Sequence, residues 1–458
     1  MKIFKLCLVA LVAAAPAGAA GTETDAALPA APAAEAQSPT ANPSASSRFI
    51  YGTPGELYPV FGGVPKVFWP YSSIDPYQRY FVTRMPFRGP GRDYPTPPDL
   101  KSLRIGLIDS PKVGANWGRS ERTRAGIVQA IEEANRERQP GELPFELVEH
   151  EGFAQWGGAA NLAALLADEK VLGYLGMIDG TDAHVALRVT LKTEIVMINT
   201  SDPDPTLTET QIPWLLRVLP DQRQEESKLA DLIVHRCGCR RIAVLRAGDR
   251  FARVGANMFD SFVRRLGCPV VQELLFVPGK TDIAYQIAAI KEAQPDAIFF
   301  LGEPADIGRF ARQFREAGVK ARFFGTDLLL EDSFLKSAGD AAEGTMFTSV
   351  FDPHRKDPLW AGFAARFKAR WGYEPDVYAA YAYDGAQIML SAIRRAGPNR
   401  WRIRDLVCNL DYYQGVTGWM RFDGTASNIA PVRLVRIDHG RRVFEPEPEF
   451  SPPIARRL

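Results

Sequence analysis

The chain has 458 residues, 55 basic and 54 acidic, for a net charge of +1. That balance offers no electrostatic handle to nucleic acid or to an anionic membrane, so neither is expected as a partner. Its five histidines, His150, His184, His235, His354 and His439, stand singly and without ligand spacing, which argues against a zinc site.

The N-terminus reads "MKIFKLCLVALVAAAPAGAAG": Lys2 and Lys5, then an apolar run from Leu6 to Ala15, then small residues. This order is that of a cleavable secretory signal over residues 1–20, so export to the periplasm is expected. Residues 21–47 are rich in Ala, Pro, Ser and Thr and carry almost nothing able to form a core, which predicts a disordered linker. Residues 48–101 hold many aromatics and prolines without a sustained period and are expected to form a loop-rich extension packed on the main body. No later stretch of about eighteen uncharged apolar residues occurs, so the exported chain is expected to be soluble.

From Ser102 onward apolar runs alternate with amphipathic helices. "LRIGLID" (103–109) has the continuous apolarity of a strand buried on both faces, and "SERTRAGIVQAIEEANRER" follows with Ala125, Val128, Ile131 and Ala134 at helical spacing. The couplet recurs through "FELVEHEG", "VLGYLGMID" and "EIVMINTS". A second series begins near residue 220 and runs through "RRIAVLRAGD", "VVQELLFVPG", "AIFFLGEP" and "RFFGTDLL". Strands separated by single helices predict right-handed crossovers and parallel sheets. About 350 residues exceed what one core organises, so two sheet-centred lobes are expected. Two long helical patterns follow, and "GVTGWMRFDGTASNIAPVRLVRI" (415–437) reads as a hairpin turning at Asp423-Gly424 and closing the second lobe. The expected division is 102–221 plus 351–407 for lobe 1, 222–350 plus 408–443 for lobe 2, and 444–458 as a tail. Several crossings between α/β lobes make a hinge with a cleft, and ligands of open parallel sheets bind beyond the carboxyl ends of the strands.

Those strand ends carry Asp109, Asp179, Asp202, Asp204, Asp249, Glu303 and Asp327. Gathered in one concave site they would favour an amine or other cation; taken singly, Asp109, Asp202 and Asp204 read equally as helix caps or turn residues. Arg119, Arg246 and Arg250 offer a carboxylate clamp or merely solvated rim charges. Trp117 and Phe251, each just after a strand, suit the wall of a pocket or ordinary packing. "VPGKT" (277–281) ends like a phosphate loop, but Leu274 stands where the first glycine is required. Neither a Gly-x-Ser-x-Gly elbow nor a His-Glu-x-x-His pair occurs, so the chain is not expected to be an enzyme, nor to need a cofactor. Cys239 precedes one predicted strand and Cys268 its neighbour, so export makes a disulfide between them an expectation, with Cys237 as the alternative partner. Cys408 is expected to be free.

The order of "GANWGRSERTRAGIVQAIEEAN", "VLGYLGMIDGTDAH", "VMINTSDPDPTLTE", "RRIAVLRAGDRFARVGANMFDSFVRRLG", "FARQFREAGVKARFFGTD" and "GVTGWMRFDGTASN" resembles the type I periplasmic solute-binding proteins of ABC transporters, in their Leu/Ile/Val-binding branch. The last segment keeps that family's Gly415, Gly418, Phe422 and Asp423. The resemblance implies two doubly wound lobes, a multi-crossing hinge, and an interlobe cleft that closes on a small solute for delivery to permease membrane subunits. A monomer is expected. By position it implies Trp117, the loop with Asp179, Gly180 and Thr181, and Ser201 as ligand contacts from lobe 1. From lobe 2 it implies Phe251, Glu303 and Asp327, with Asp327 matching the acid that pairs with a ligand ammonium. Loop 176–181 lacks most hydroxyls found there in the family, Pro203 replaces a common Thr, and Glu303 stands where an aromatic is usual. An amine or amide is therefore expected alongside an amino acid as ligand. A sensor of the same fold, reporting to a signalling partner, is the alternative role.

Overall fold

A computed structural model of the protein describes residues 48–51, 87–109, 116–151 and 157–446. The expected signal at 1–20, the linker at 21–47 and nearly all of the tail at 444–458 lie outside the described residues.

The elements run β1 (Phe49–Tyr51), β2 (Leu103–Ile108), α1 (Asn116–Arg136), β3 (Phe145–Val148), α2 (Gly158–Asp168), β4 (Tyr174–Gly176), α3 (Gly180–Thr193), β5 (Met197–Asn199), α4 (Thr206–Glu209) and β6 (Leu215–Arg217). The second series is α5 (Gln222–Asp231), β7 (Ile242–Arg246), α6 (Arg250–Arg265), β8 (Val270–Leu275), α7 (Ala284–Ala293), β9 (Ala297–Leu301), α8 (Pro304–Glu316), β10 (Arg322–Gly325), α9 (Asp332–Ala338) and β11 (Met346–Ser349). The chain ends in α10 (Pro358–Trp371), α11 (Val377–Ala396), α12 (Arg400–Cys408), β12 (Leu410–Gly415), β13 (Gly418–Arg421), β14 (Arg433–Asp438) and β15 (Arg441–Phe444).

The first sheet is wholly parallel, in the order β3-β2-β4-β5-β6. The second repeats that winding as β8-β7-β9-β10-β11, then adds β14 antiparallel to β11 and β15 antiparallel to β14. Continuous apolar strands build both sheets because each is covered by helices on two faces; all five residues of β9 are buried. One core gathers Val244, Phe259, Phe299 and Phe314 around the second sheet. Ile105, Leu216, Phe363 and Tyr383 belong to another, around the first. Helix α1 lies directly against α11, and a side chain at Gly126 would meet Ala379 O at 2.2 Å, so only glycine permits that approach. The described residues from Arg48 onward cluster as one compact unit.

Three segments pass between the sheets: β6 to α5, β11 to α10, and β13 to β14. Buried polar contacts bind them together. Arg217 donates to Asp221 Oδ2 (2.6 Å) and to Ser427 Oγ (2.7 Å), Gln224 donates to Asn428 O (2.7 Å), and Thr348 donates to Glu225 Oε2 (2.9 Å).

Two expectations are corrected. Residues 415–437 are not one hairpin: β13 pairs with β12 and β14 with β15, in different sheets. The Asp423-Gly424 signal is instead an Asx loop, in which Asp423 Oδ1 accepts from the N–H groups of Thr425 and Ser427 (2.8 and 3.2 Å) on the third crossing. Consequently β12 and β13 pack through Tyr413 and Met420 into the core of the first sheet, and only β14 and β15 complete the second. The disulfide is absent too: Cys239 is bridged neither to Cys268 nor to Cys237. Cys239 Sγ faces Asp296 O at 4.0 Å, while Cys268 Sγ accepts from Arg240 at 3.5 Å. Strand adjacency brings backbones close but does not align two sulfurs.

The described ends of the extension dock on the first core. β1 pairs with β12 to make a three-stranded sheet, Phe87 stacks edge-on against buried Trp214 at 4.9 Å, and Arg92 pairs with Asp405 at 2.6 Å.

Candidate functional site

A cavity of about 170 Å³ lies where the carboxyl ends of both sheets converge. β4 and β5 deliver Asp179, Gly180 and the loop from Thr200 to Asp204. From the second sheet, β7 brings Asp249 to Phe251, β9 brings Gly302 and Glu303, and β10 brings Asp327. Helices α1 and α11 add Asn116, Arg119, Tyr378 and Tyr381.

The loop after β5 takes its shape from Asn199. Its Oδ1 accepts from the N–H groups of Ser201 and Asp202 at 3.0 and 2.9 Å, and its Nδ2 donates to Asp202 O at 3.0 Å. This fold-back leaves Asp202 only 3% exposed. Its Oδ1 accepts from the Asp204 N–H at 3.1 Å, while Oδ2 is buried without a partner. Burial, reinforced by the charge of Asp204, pushes the Asp202 carboxyl up to about 8. Burial acts on Asp204 in the same sense, but hydrogen bonds from Thr206 and Arg250 hold its carboxyl below the ordinary range. The Ser201 hydroxyl is engaged internally, 3.1 Å from Thr123 Oγ1 and 3.2 Å from Thr200 Oγ1.

Two arginines bridge the sheets. Arg119, from α1 and 9% exposed, donates to both oxygens of Glu303 (3.0 and 2.8 Å) and to Glu331 Oε1 (2.9 Å). Arg250, from α6, donates to Asp204 Oδ2 (2.5 Å) and Thr206 Oγ1 (3.0 Å) in the opposite direction. Fork-shaped guanidinium contacts of this kind fix orientation as well as charge. Arg246 does not take part; it pairs with Glu273 on the neighbouring strand at 2.6 Å. The other carboxylates of the wall divide by occupation. Asp179 caps α3 by accepting from Thr181 and Asp182 N–H, and Asp249 caps α6 by accepting from Ala252 N–H. Asp327 is raised to about 6, by burial and against the pull of Arg119.

Of the residues expected at the site, Asp179, Gly180, Ser201, Phe251, Glu303 and Asp327 line the cavity. Trp117 is half-buried on the first turn of α1 and outside the wall, and Thr181 is exposed with its N–H spent on the cap. Asp202 and Asp204, which also read as caps or turn residues, belong to the wall as well. Tyr378 and Tyr381 were legible only as parts of a helical pattern and Asn116 only within a segment of the family resemblance; Tyr381 donates its hydroxyl to Val350 O at 2.8 Å. Below Asp327, Glu225 and Glu226 are buried on α5. Neither oxygen of Glu226 has a partner, and burial raises both carboxyls well above the usual range.

A family model described as periplasmic binding protein matches residues 102–442. An "Amino acid binding protein" of Pseudomonas aeruginosa is 26% identical over 306 residues, covering 66% of this chain and 80% of that protein. Among solved structures, the leucine binding protein LivK of Thermotoga maritima superposes with a TM-score of 0.67 at 24% identity, over 75% of this chain and 98% of that one. The substrate binding protein LivJ of Streptococcus pneumoniae, in complex with isoleucine, also gives 0.67, at 20% identity, over 75% and 99%.

Proposed function

The chain belongs to the periplasmic binding protein family, a family of receptors rather than enzymes, and from that premise we propose that it captures one small polar solute, an amino acid or a related amine or amide, for an ABC transporter. The observation that carries this reading is the convergence of Ser201 and Asp202 from the first sheet with Phe251 and Asp327 from the second on a single cavity of about 170 Å³. A solute seated there touches both sheets only when they are together, so it favours that arrangement by its differential contacts. The three crossings are the proposed hinge, with lobe 1 now including β12 and β13. Export through residues 1–20, a monomeric state and delivery to permease subunits complete the proposal. No helix among the described residues is long and apolar enough to cross a membrane.

The test is a thermal-shift screen of the purified protein against amino acids, amines and amides, followed by calorimetry on any hit. One solute at about 100 times its Kd should stabilise the protein by about 2.7 kcal/mol, and Asp327→Asn should remove most of that gain. A screen in which no solute moves the transition, or a hit indifferent to Asp327→Asn, would sink the assignment of this cavity.

A further inference from the structure

We propose that the solute bears no carboxylate: it is a small organic cation, an amine or guanidine, and Asp202 is the residue that selects it. This rests on the receptor reading above and adds the chemical class of the ligand.

Three observations lead there. First, the start of α3, where backbone N–H groups could receive an anion, is already faced by the protein's own carboxylates. A Cβ on Gly180 would lie 3.0 Å from Asp204 Oδ2 and 3.1 Å from Asp202 Oδ1, and Asp179 takes the N–H groups of Thr181 and Asp182. The space that a ligand carboxylate would need at this helix start is thus taken by the side chains of Asp202 and Asp204.

Second, both guanidinium groups of the cavity wall are committed. Arg119 spends three donors on Glu303 and Glu331, and Arg250 spends its own on Asp204 and Thr206. Thus an incoming carboxylate meets no unpaired arginine, while these same ion pairs neutralise Glu303 and Asp204 and remove them as competitors for a cation.

Third, Asp202 lines the cavity, and its Oδ2 is buried with no hydrogen-bond partner. A buried polar oxygen left unmatched is costly, and once the carboxyl gives up its proton a cationic ligand N–H is the group that matches it. The titratable and charged groups facing Asp202 are Asp179, Asp204 and Arg217, with Arg250 and His184 behind Asp204. Of these Arg217 is itself paired with Asp221 at 2.6 Å, so the local field favours a cation.

The experiment is calorimetry on the full chain with matched probes that differ only in the carboxylate: agmatine against arginine, putrescine against ornithine, isoamylamine against leucine, with 4-methylpentanamide as the neutral arm. The expected result is an amine that binds at least about tenfold more tightly than its amino acid. Because the Asp202 carboxyl titrates at about 8 in the solute-free protein, pairing it with a cation expels a proton. Paired buffers at pH 7 should therefore register proton release, and affinity should rise from pH 6 to 8. Asp202→Asn keeps the acceptor for the Asp204 N–H, so it should fold, yet lose about tenfold or more in amine affinity and lose the proton release. An amino acid that outbinds its decarboxylated counterpart overturns the inference while leaving the receptor reading intact. Tight binding of the neutral amide without proton release does the same. A panel with no binder overturns the class assigned here, and the broader solute screen then decides the receptor reading separately.

Discussion

Arg119→Met removes the guanidinium and keeps most of the stem that packs beside Tyr378, whose ring lies 6.0 Å from the charge. The wild-type side chain makes three charge-assisted bonds of 2.8 to 3.0 Å from α1 to residues of the second sheet. Breaking a fully buried ion pair costs about 3–5 kcal/mol, whereas an exposed pair is worth less than about 1 kcal/mol. Here the arginine side chain is 10% exposed but Glu303 and Glu331 are each 36% exposed. Solvent screening of the glutamates places the loss near 2 kcal/mol, between those limits. That energy belongs only to conformations in which the sheets are drawn together, so their population relative to open ones should fall about thirtyfold. Small-angle scattering without solute is the right assay, because the released glutamates would attract a cationic solute and confound an affinity measurement. The variant should show a larger radius of gyration than the wild type, and high salt should narrow the difference. A wild-type profile already matching that of the variant would refute the reasoning, since the bridge would then contribute nothing to the arrangement.

Stability should depend on pH in an unusual sense. Asp202 and Asp327 have native pKa values raised to about 8 and about 6, and Glu225 and Glu226 are raised as well, all chiefly by burial. From the ordinary carboxylate range upward the native state binds more protons than the unfolded chain. Stability is then greatest near pH 4 and falls toward pH 8, by up to about 1.4 kcal/mol per pH unit for each such group. Urea midpoints at pH 5.5 and pH 8 test this; Glu226→Gln should flatten the profile, and a midpoint that climbs with pH would contradict it. Gly126→Ala should cost about 3 kcal/mol, because its Cβ would stand 2.2 Å from a backbone oxygen of α11 that cannot yield; a urea midpoint within error of wild type would disprove that packing argument.

The fold was legible where burial alone writes the pattern. Strands such as Ala297–Leu301 are apolar at every position because helices cover both faces, and Asp221, Asp249 and Asp376 cap the helices that follow them through bonds to the N–H groups of Gln224, Ala252 and Ala379. The third crossing was not legible. An Asp-Gly pair is good turn chemistry in either setting, and a turn says nothing about whether the next strand rejoins the same sheet. The membership of β13 and β14 is decided by the partners β12 and β15, each supplied by flanking sequence with its own turn, at Val416-Thr417 and at His439-Gly440.

The site divides along the same line. Loop position pointed to Phe251, Glu303 and Asp327, since strand ends converge at the cavity whatever the side chains, and the family resemblance pointed to Ser201. Partnership between the sheets was invisible: nothing local joins Arg119 to Glu303, 184 positions away in the chain. Asp202 and Asp204 show the consequence most sharply, because in "SDPDP" they look interchangeable as turn acids. Asp204 meets Arg250 from across the cavity and becomes a firmly ionised strut, while Asp202, two residues away, is folded inward by Asn199 and left with a bare oxygen. The two acids therefore take opposite protonation states at neutral pH: Thr206 beside it and Arg250 from across the cavity hold Asp204 ionised, while the burial imposed by Asn199 leaves Asp202 protonated until a solute meets it.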